Sequence, residues 1–132
     1  MKDLFVTYEQ AVQLKELGFD EPCFGSWEIE KTDIPTYTHS ITTSYKNSNH
    51  PIGKTTAPLK QQVFRWFRDK HNILGSIYSN ASGYLFEWHD SIGGTHRGWS
   101  EYEGPNDGGC WDSYEEAEDA CITKLIEIIK EK

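Results

Sequence analysis

The sequence predicts an α+β fold, in which a small, mostly antiparallel sheet of four to five strands is combined with three helices. Three observations lead to this class. Capping signals mark helices near both ends of the chain, period-two alternation marks strands, and short turns join consecutive strands, which favours antiparallel pairing. The predicted order is α-β-β-α-β-β-(β)-α, within a single α+β domain over residues 1–132.

The first helix is predicted over residues 8–17. Thr7 is the expected N-cap, and Gln10 at the third helical position completes a capping box. Leu14 lies on the apolar stripe of this helix. Gly18 follows where a left-handed residue is expected to end the helix.

The next part of the chain favours two strands. Residues 23–29 are predicted as the first of them, and residues 37–45 alternate between larger side chains and small hydroxyl residues, which is typical of a second. A turn is predicted at residues 33–35. The polar residues 46–56, which include a proline and a glycine, are predicted as a loop.

A second helix is predicted over residues 58–71, because proline is well suited to the first helical position. Residues 74–78 and 84–89 are predicted to form a hairpin. A short strand at residues 97–102 is expected inside the glycine-rich segment, residues 93–109.

The last helix is marked by Ser113 as N-cap and by Glu116 in the position that completes a capping box. Its apolar stripe is widened by Ile122, Ile126 and Ile129. So wide a stripe indicates either deep packing on the sheet or burial against another subunit. We therefore expect a homodimer with part of these isoleucines at or near the interface.

Composition excludes several classes of protein. The net charge is −8, from 13 basic and 21 acidic residues, which disfavours binding to duplex nucleic acid or to anionic membrane surfaces. No apolar run approaches the length of a spanning helix, and the N-terminus has no secretory signal. Three cysteines without a close pair indicate free thiols and a cytoplasmic protein. Aromatic residues make up 14% of the chain, which suits both a core and a binding surface.

One set of residues suggests a ligand site. Arginine pairs with phosphate, aromatic faces stack on bases, and glycine lets a backbone approach a ligand closely. The candidate ligand-binding residues lie in or beside the glycine-rich segment or, with Phe64, on the outer face of the second helix: Arg65, Arg68, His96, Arg97, Trp99, Tyr102 and Trp111. Together they predict a site for a small nucleotide-like ligand. The structural alternative is that the arginines solvate a helix and the tryptophans pack in the core.

Metal and nucleophilic chemistry have weaker signals. His89 and His96 are seven residues apart, and no close pair of ligands is present, so neither a metal site nor a cofactor is expected. Cys110 with His89 or His96 would suit a small hydrolase, because the turn at residues 107–110 is expected to expose the thiol. Acidic neighbours work against a thiolate there.

Three segments resemble a group of small uncharacterised proteins encoded by tailed bacteriophages and gut Bacteroidota. They are residues 5–11 with 17–23, residues 57–68 and residues 113–118, and they cover about a third of the chain. The segments are caps, a helix core and a turn. The resemblance implies a phage or mobile-element context and an accessory role, and it transfers no activity.

These observations lead to an expected function. The chain is predicted to be a non-catalytic accessory binding protein that sequesters a nucleotide-derived signalling molecule, as an anti-defence sponge does. Two alternatives remain open. The acidic surface favours a binder or inhibitor of a host protein, through mimicry of nucleic acid, and the Cys110 region favours a small hydrolase.

Overall fold

The computed structural model describes residues 4–23, 25–28, 31–37, 46–49, 54–92 and 95–131. The chain divides into two compact units, Met1–Val63 and Phe64–Lys132, which we call the N-terminal unit and the C-terminal unit. The expectation of a single domain stays a prediction. Among the described residues, no helix is both long enough and apolar enough to cross a membrane.

The described helices and strands follow the predicted order with one added strand. They are α1 Tyr8–Glu16, β1 Gly25–Glu28, β2 Lys31–Tyr37, β3 Lys54–Ala57, α2 Lys60–His71, β4 Ile73–Asn80, β5 Gly83–Ile92, β6 Thr95–Glu101 and α3 Tyr114–Lys130. A short 3₁₀ turn, Asn47–Asn49, precedes β3. The α+β class is confirmed. The described strands all pair antiparallel and form two three-stranded sheets, whereas one sheet was expected.

The N-terminal unit is built around the sheet β2-β1-β3. Trp27 on β1 is buried, and its indole Nε1 donates to the carbonyl of Val6 at 3.2 Å. The Val6 N–H in turn donates to the carbonyl of Pro58 at 3.1 Å. The chain entering α1 is therefore fastened to both the first strand and the segment after β3.

Two local predictions in this unit are wrong. Residues 33–35 belong to β2 and do not form a turn. The register pairs Glu28 with Lys31, so the chain reverses earlier than predicted. Pro35 is compatible with a strand here because β2 is an edge strand and Pro35 lies where the register of β2 with β1 is irregular. The strand Lys54–Ala57 begins inside the loop predicted over residues 46–56. Of the strand predicted over residues 37–45, all but residue 37 lies outside the described residues.

The C-terminal unit is built on the sheet β4-β5-β6, with α3 packed on β4 and β5. Gly75 on β4 permits the contact, because a Cβ there would lie 2.8 Å from the Sγ of Cys121 and 3.2 Å from the Cδ1 of Leu125. We call this covered side of the sheet face A and the opposite side face B. The predicted hairpin and short strand are confirmed here.

The expected dimer interface on α3 is not available at two of its three positions. Ile122 and Ile126 are 0% and 1% exposed within the single chain, and Ile129 is half-buried. The wide apolar stripe is therefore explained largely by packing within the chain. The homodimer itself stays a prediction, but Ile122 and Ile126 cannot form its interface.

Both predicted N-cap residues are confirmed, and the predicted capping box is confirmed for α1. Thr7 and Gln10 form the reciprocal capping box of α1, and the Oγ of Ser113 accepts from the Glu116 N–H at 3.2 Å. At the end of α1, Gly18 has φ +96°, and the Phe19 N–H donates to the Leu14 carbonyl at 2.9 Å. This is the bond that closes a Schellman motif.

The left-handed backbone at Gly18 gives a test of this cap. A Cβ at this position would have no atom within 4 Å, so only backbone strain opposes a side chain. We expect Gly18→Ala to lower the free energy of unfolding by about 1 kcal/mol, and Gly18→Asn to lower it less. Urea unfolding followed by circular dichroism measures both. Equal stability of Gly18→Ala and the wild type would contradict the cap.

Candidate functional site

The glycine-rich segment is two structures in succession. Its first part is β6, and its second part, residues 102–110, is a loop that folds back on itself. The Gly104 N–H donates to the Gly109 carbonyl at 2.9 Å, and the Asn106 N–H donates to the Cys110 carbonyl at 3.2 Å. The loop is thus closed by its own backbone bonds.

Asn106 ties this loop to the tip of the β4–β5 hairpin. Its Oδ1 accepts from the N–H groups of Gly108 at 3.0 Å and Cys110 at 2.8 Å. Its Nδ2 donates to the Ser82 carbonyl at 2.8 Å and to the Asp112 carboxylate at 3.3 Å. One amide side chain therefore satisfies groups on three parts of the chain.

The glycines of the loop serve its own packing. Gly109 has φ +72°, and a Cβ there would lie 2.5 Å from the carbonyl oxygen of Tyr102. A Cβ on Gly104 would overlap the backbone of Cys110, and one on Gly108 would overlap the side chain of Ser82. The sequence suggested that these glycines let a ligand approach the backbone. In the structure they instead allow other parts of the chain to approach the loop backbone closely.

After the loop, the chain returns to the sheet at Trp111. Its backbone pairs with Tyr84 on β5, through N–H to carbonyl bonds of 2.7 and 2.8 Å. The half-buried Trp111 ring lies 5.3 Å from the ring of Phe86, centroid to centroid. Tyr114, at the start of α3, meets Tyr84 edge-on at 6.1 Å. Tyr84 therefore links Trp111, through its backbone, to Tyr114, through its ring.

Tyr102 and Trp111, two of the predicted ligand residues, are on opposite faces of the sheet. A hydrogen bond to Tyr78 is the main cause that raises the pKa of Tyr102, so these two tyrosines are neighbours. Tyr78 follows Ile77 on β4, and consecutive strand residues point to opposite faces. Ile77 is paired with Phe86, which contacts Trp111. The sheet therefore separates Tyr102, on face B, from Trp111, on face A.

Three predicted site residues lie on β6 and are placed by backbone register. His96 is opposite Ser91, Arg97 is opposite Asp90, and Trp99 is opposite Trp88. The register gives them positions in the sheet next to the buried Trp88 and Asp90 of β5. It does not bring them to the loop of residues 102–110.

The two arginines of α2 are exposed. The Nε of Arg65 is 3.4 Å from one carboxylate oxygen of Asp69, and the Nε of Arg68 is 3.7 Å from the other. Ion pairs this open to solvent contribute little. Phe64, the expected aromatic member of this stripe, instead has its Cε1 3.1 Å from the position of a Cβ on Gly75. The arginines thus lack the aromatic face that the sequence interpretation gave them.

The cysteines are buried. Cys110 is 0% exposed, and its Sγ lies 3.6 Å from the Oδ1 of Asn80, so the predicted exposed thiol is wrong. Burial raises the pKa of the Cys23 thiol to about 12 and also raises that of Cys121. Since the thiolate is the nucleophile, the described thiols at these positions are unsuited to nucleophilic chemistry. The hydrolase interpretation loses the group on which it depended.

Sequence reasoning missed the pairing of Tyr84 with Trp111 and the ring contact of Tyr84 with Tyr114. Tyr114 directly follows the N-cap of α3, so its position in the first turn of the helix could have been predicted from the sequence. Tyr84 and Trp111 are far apart in the sequence, with β6 and the loop of residues 102–110 between them, so no local sequence pattern predicts their pairing. Over the described part of the chain, no group of three or more His, Cys, Asp or Glu residues is arranged to hold a metal ion.

Comparison with family models, with curated proteins and with solved structures finds no match to this chain. What the chain can bind therefore has to be argued from its own groups.

Asn106 gives a direct test of the loop. We expect Asn106→Ala to lower the free energy of unfolding by on the order of 1–3 kcal/mol, because it leaves backbone groups at residues 108 and 110 without a partner. Asn106→Asp keeps the acceptor, but it replaces the amide donor with a carboxylate oxygen that faces the Asp112 carboxylate and the Ser82 carbonyl, so its loss at neutral pH should be at least as large. Hydrogen exchange at residues 102–110 should accelerate in both variants. Equal exchange in all three proteins would show that Asn106 does not hold the loop.

Proposed function

We propose that this chain is a non-catalytic binding protein that captures a positively charged segment of a protein partner. The surface we assign to this role consists of Tyr84, Trp111 and Tyr114 with the exposed carboxylates of Asp112 and Glu115, and we call it the aromatic–acidic surface. The observation that carries the proposal is the ring contact of Tyr84 with Tyr114, beside the backbone pairing of Tyr84 with Trp111, next to a stretch of chain that holds only negative charge.

The charge of this stretch selects the ligand class. Residues 101–123 contain eight aspartates and glutamates and no lysine or arginine. Carboxylates this close in sequence create a negative potential that attracts cations and repels phosphate. A nucleotide bound at Trp111 would have its phosphates in this potential. A lysine or arginine of a partner would be stabilised by it.

Tyr114 is the ring best placed to meet such a cation. It is 41% exposed. Partial burial, followed by the nearby carboxylates of Glu118 and Glu115, raises the pKa of its hydroxyl. The ring therefore lies in a negative field at the protein surface. Aromatic faces attract guanidinium and ammonium groups, and arginine also stacks on them, so a basic segment gains from both the rings and the carboxylates.

The expected nucleotide sponge stays a prediction. Its positive charge would come from Arg65, Arg68 and Arg97. Arg65 and Arg68 are exposed, and Phe64, their expected aromatic neighbour, lies near Gly75. The phage or mobile-element context implied by the resemblance also stays a prediction. In that context, a basic segment of a host protein is the partner class that fits the aromatic–acidic surface.

Calorimetry tests the proposal with four ligands: an arginine-rich peptide, a lysine-rich peptide of the same length, an acidic peptide and a cyclic dinucleotide. We expect binding of the two basic peptides, weakened by salt. Tyr114→Ala should reduce the affinity by roughly twofold to thirtyfold, which corresponds to a cation–π contribution of about 0.5–2 kcal/mol. Glu115→Gln should reduce the salt dependence.

Tyr102→Ala is the matched control, because it removes an exposed tyrosine from the opposite face of the same sheet. Its affinity for the basic peptides should equal that of the wild type. Binding of the dinucleotide without the peptides would overturn the proposal in favour of the sponge. An equal loss in Tyr102→Ala and Tyr114→Ala would show that the aromatic–acidic surface is not the site.

A further inference from the structure

Among the described strands, β4 is an edge strand that pairs only with β5, and its sequence has none of the residues that usually protect an edge. β4 runs for eight residues, Ile73–Asn80, with no charged residue and no proline, and its register with β5 is continuous, without a bulge. Natural proteins protect exposed edges with charges, prolines or bulges. Each other edge strand of the two described sheets has such a residue: Lys31, Asp33 and Pro35 in β2, Lys54 in β3, and Arg97 and Glu101 in β6.

The backbone groups on this edge can be assigned from the opposite side of the sheet. The N–H and the carbonyl of Tyr84 both bond to Trp111, so they point away from β4. Along a strand, the N–H and carbonyl of successive residues point alternately to one neighbouring strand and to the other. In an antiparallel ladder, hydrogen-bonded residue pairs therefore alternate with pairs that make no hydrogen bond to each other. The β4 residues in such pairs therefore direct their N–H and carbonyl groups outward, and they are Ile73, Gly75, Ile77 and Ser79.

We propose that this edge pairs with the same edge of a second copy of the chain, which joins two three-stranded sheets into one six-stranded antiparallel sheet. A strand edge that pairs with itself antiparallel forms a two-fold symmetric interface. In the register centred on Ser76, Ile73 is opposite Ser79 of the second copy and Gly75 is opposite its Ile77. Every outward group then has a partner, and each such pair exchanges both N–H to carbonyl bonds.

The side chains at the edge favour the same occupant. In this register Leu74, which is 41% exposed, is opposite Tyr78 of the second copy on face B. An aromatic ring opposite an aliphatic side chain is a favourable cross-strand pair. Ser76 is opposite its own copy on the two-fold axis. The chain has a net charge of −8, so two copies repel each other overall. Because β4 has no charged residue, pairing through β4 places no like charges directly opposite each other.

The position of Ser76 on the axis gives a decisive experiment. Ser76→Lys would place two ammonium groups opposite each other, and Ser76→Glu would place two carboxylates there, so each variant alone should be monomeric. An equal mixture of the two should form a mixed dimer. His89→Lys is the matched control, because His89 is exposed on the same face but lies in the central strand β5.

Native mass spectrometry and light scattering at high micromolar concentration measure the result. We expect the wild type and His89→Lys to have twice the 15.2 kDa chain mass, and each Ser76 variant alone to have the chain mass. Ser79→Pro removes one outward N–H without breaking the β4–β5 ladder, so it should weaken the dimer even if the Ser76 variants fold poorly. A monomeric wild type, or Ser76 and Ser79 variants that all dimerise as the wild type does, would overturn the proposal.

Discussion

The C-terminal unit depends on the close approach of α3 to β4 at Gly75. A side chain at that position would have to share space with Cys121, Phe64 and Leu125. Because glycine leaves the space open, Cys121 and Leu125 reach zero exposure, and the helix closes face A of the sheet. The start of α3 is thereby fixed, and with it Tyr114, which follows the N-cap and reaches the ring of Tyr84.

The loop of residues 102–110 connects β6 to α3 and packs on the tip of the β4–β5 hairpin. β6 leaves the sheet after Glu101, and Trp111 takes the place beside β5 that a longer β6 would have occupied. Asn106 holds the intervening loop against Ser82, so the loop occupies a defined place at the hairpin tip. Ordered geometry of this kind is what a binding surface needs, because groups that are already in place lose less entropy when a partner arrives.

Local signals in the sequence were sufficient for much of the fold. The Thr7–Gln10 capping box, the Ser113 cap, Gly18 and the β4–β5 hairpin all depend on residues a few positions apart, and each is as predicted. β3 was missed because its four residues have no apolar alternation, and Pro35 was taken for a turn because its place at a sheet edge depends on β1 pairing.

The candidate site was harder to predict because its geometry is set by contacts far apart in sequence. The residue types at Tyr102 and Trp111 suggested one stacking site, but a sheet lies between them, and strand parity shows this only when the pairing is known. Cys110 looked exposed because glycines surround it. Those glycines are what allow the loop to close over the thiol, which lies near Asn80.

The burial of all three cysteines makes them internal reporters of local opening. Cys23 is in the N-terminal unit, Cys110 is under the glycine loop, and Cys121 is between α3 and the sheet. Native proteins open in parts that differ in free energy, and a buried thiol is alkylated only when its own part opens. The relative alkylation rates of the three thiols therefore rank the stability of three regions of the native protein. The measurement needs no change to the sequence.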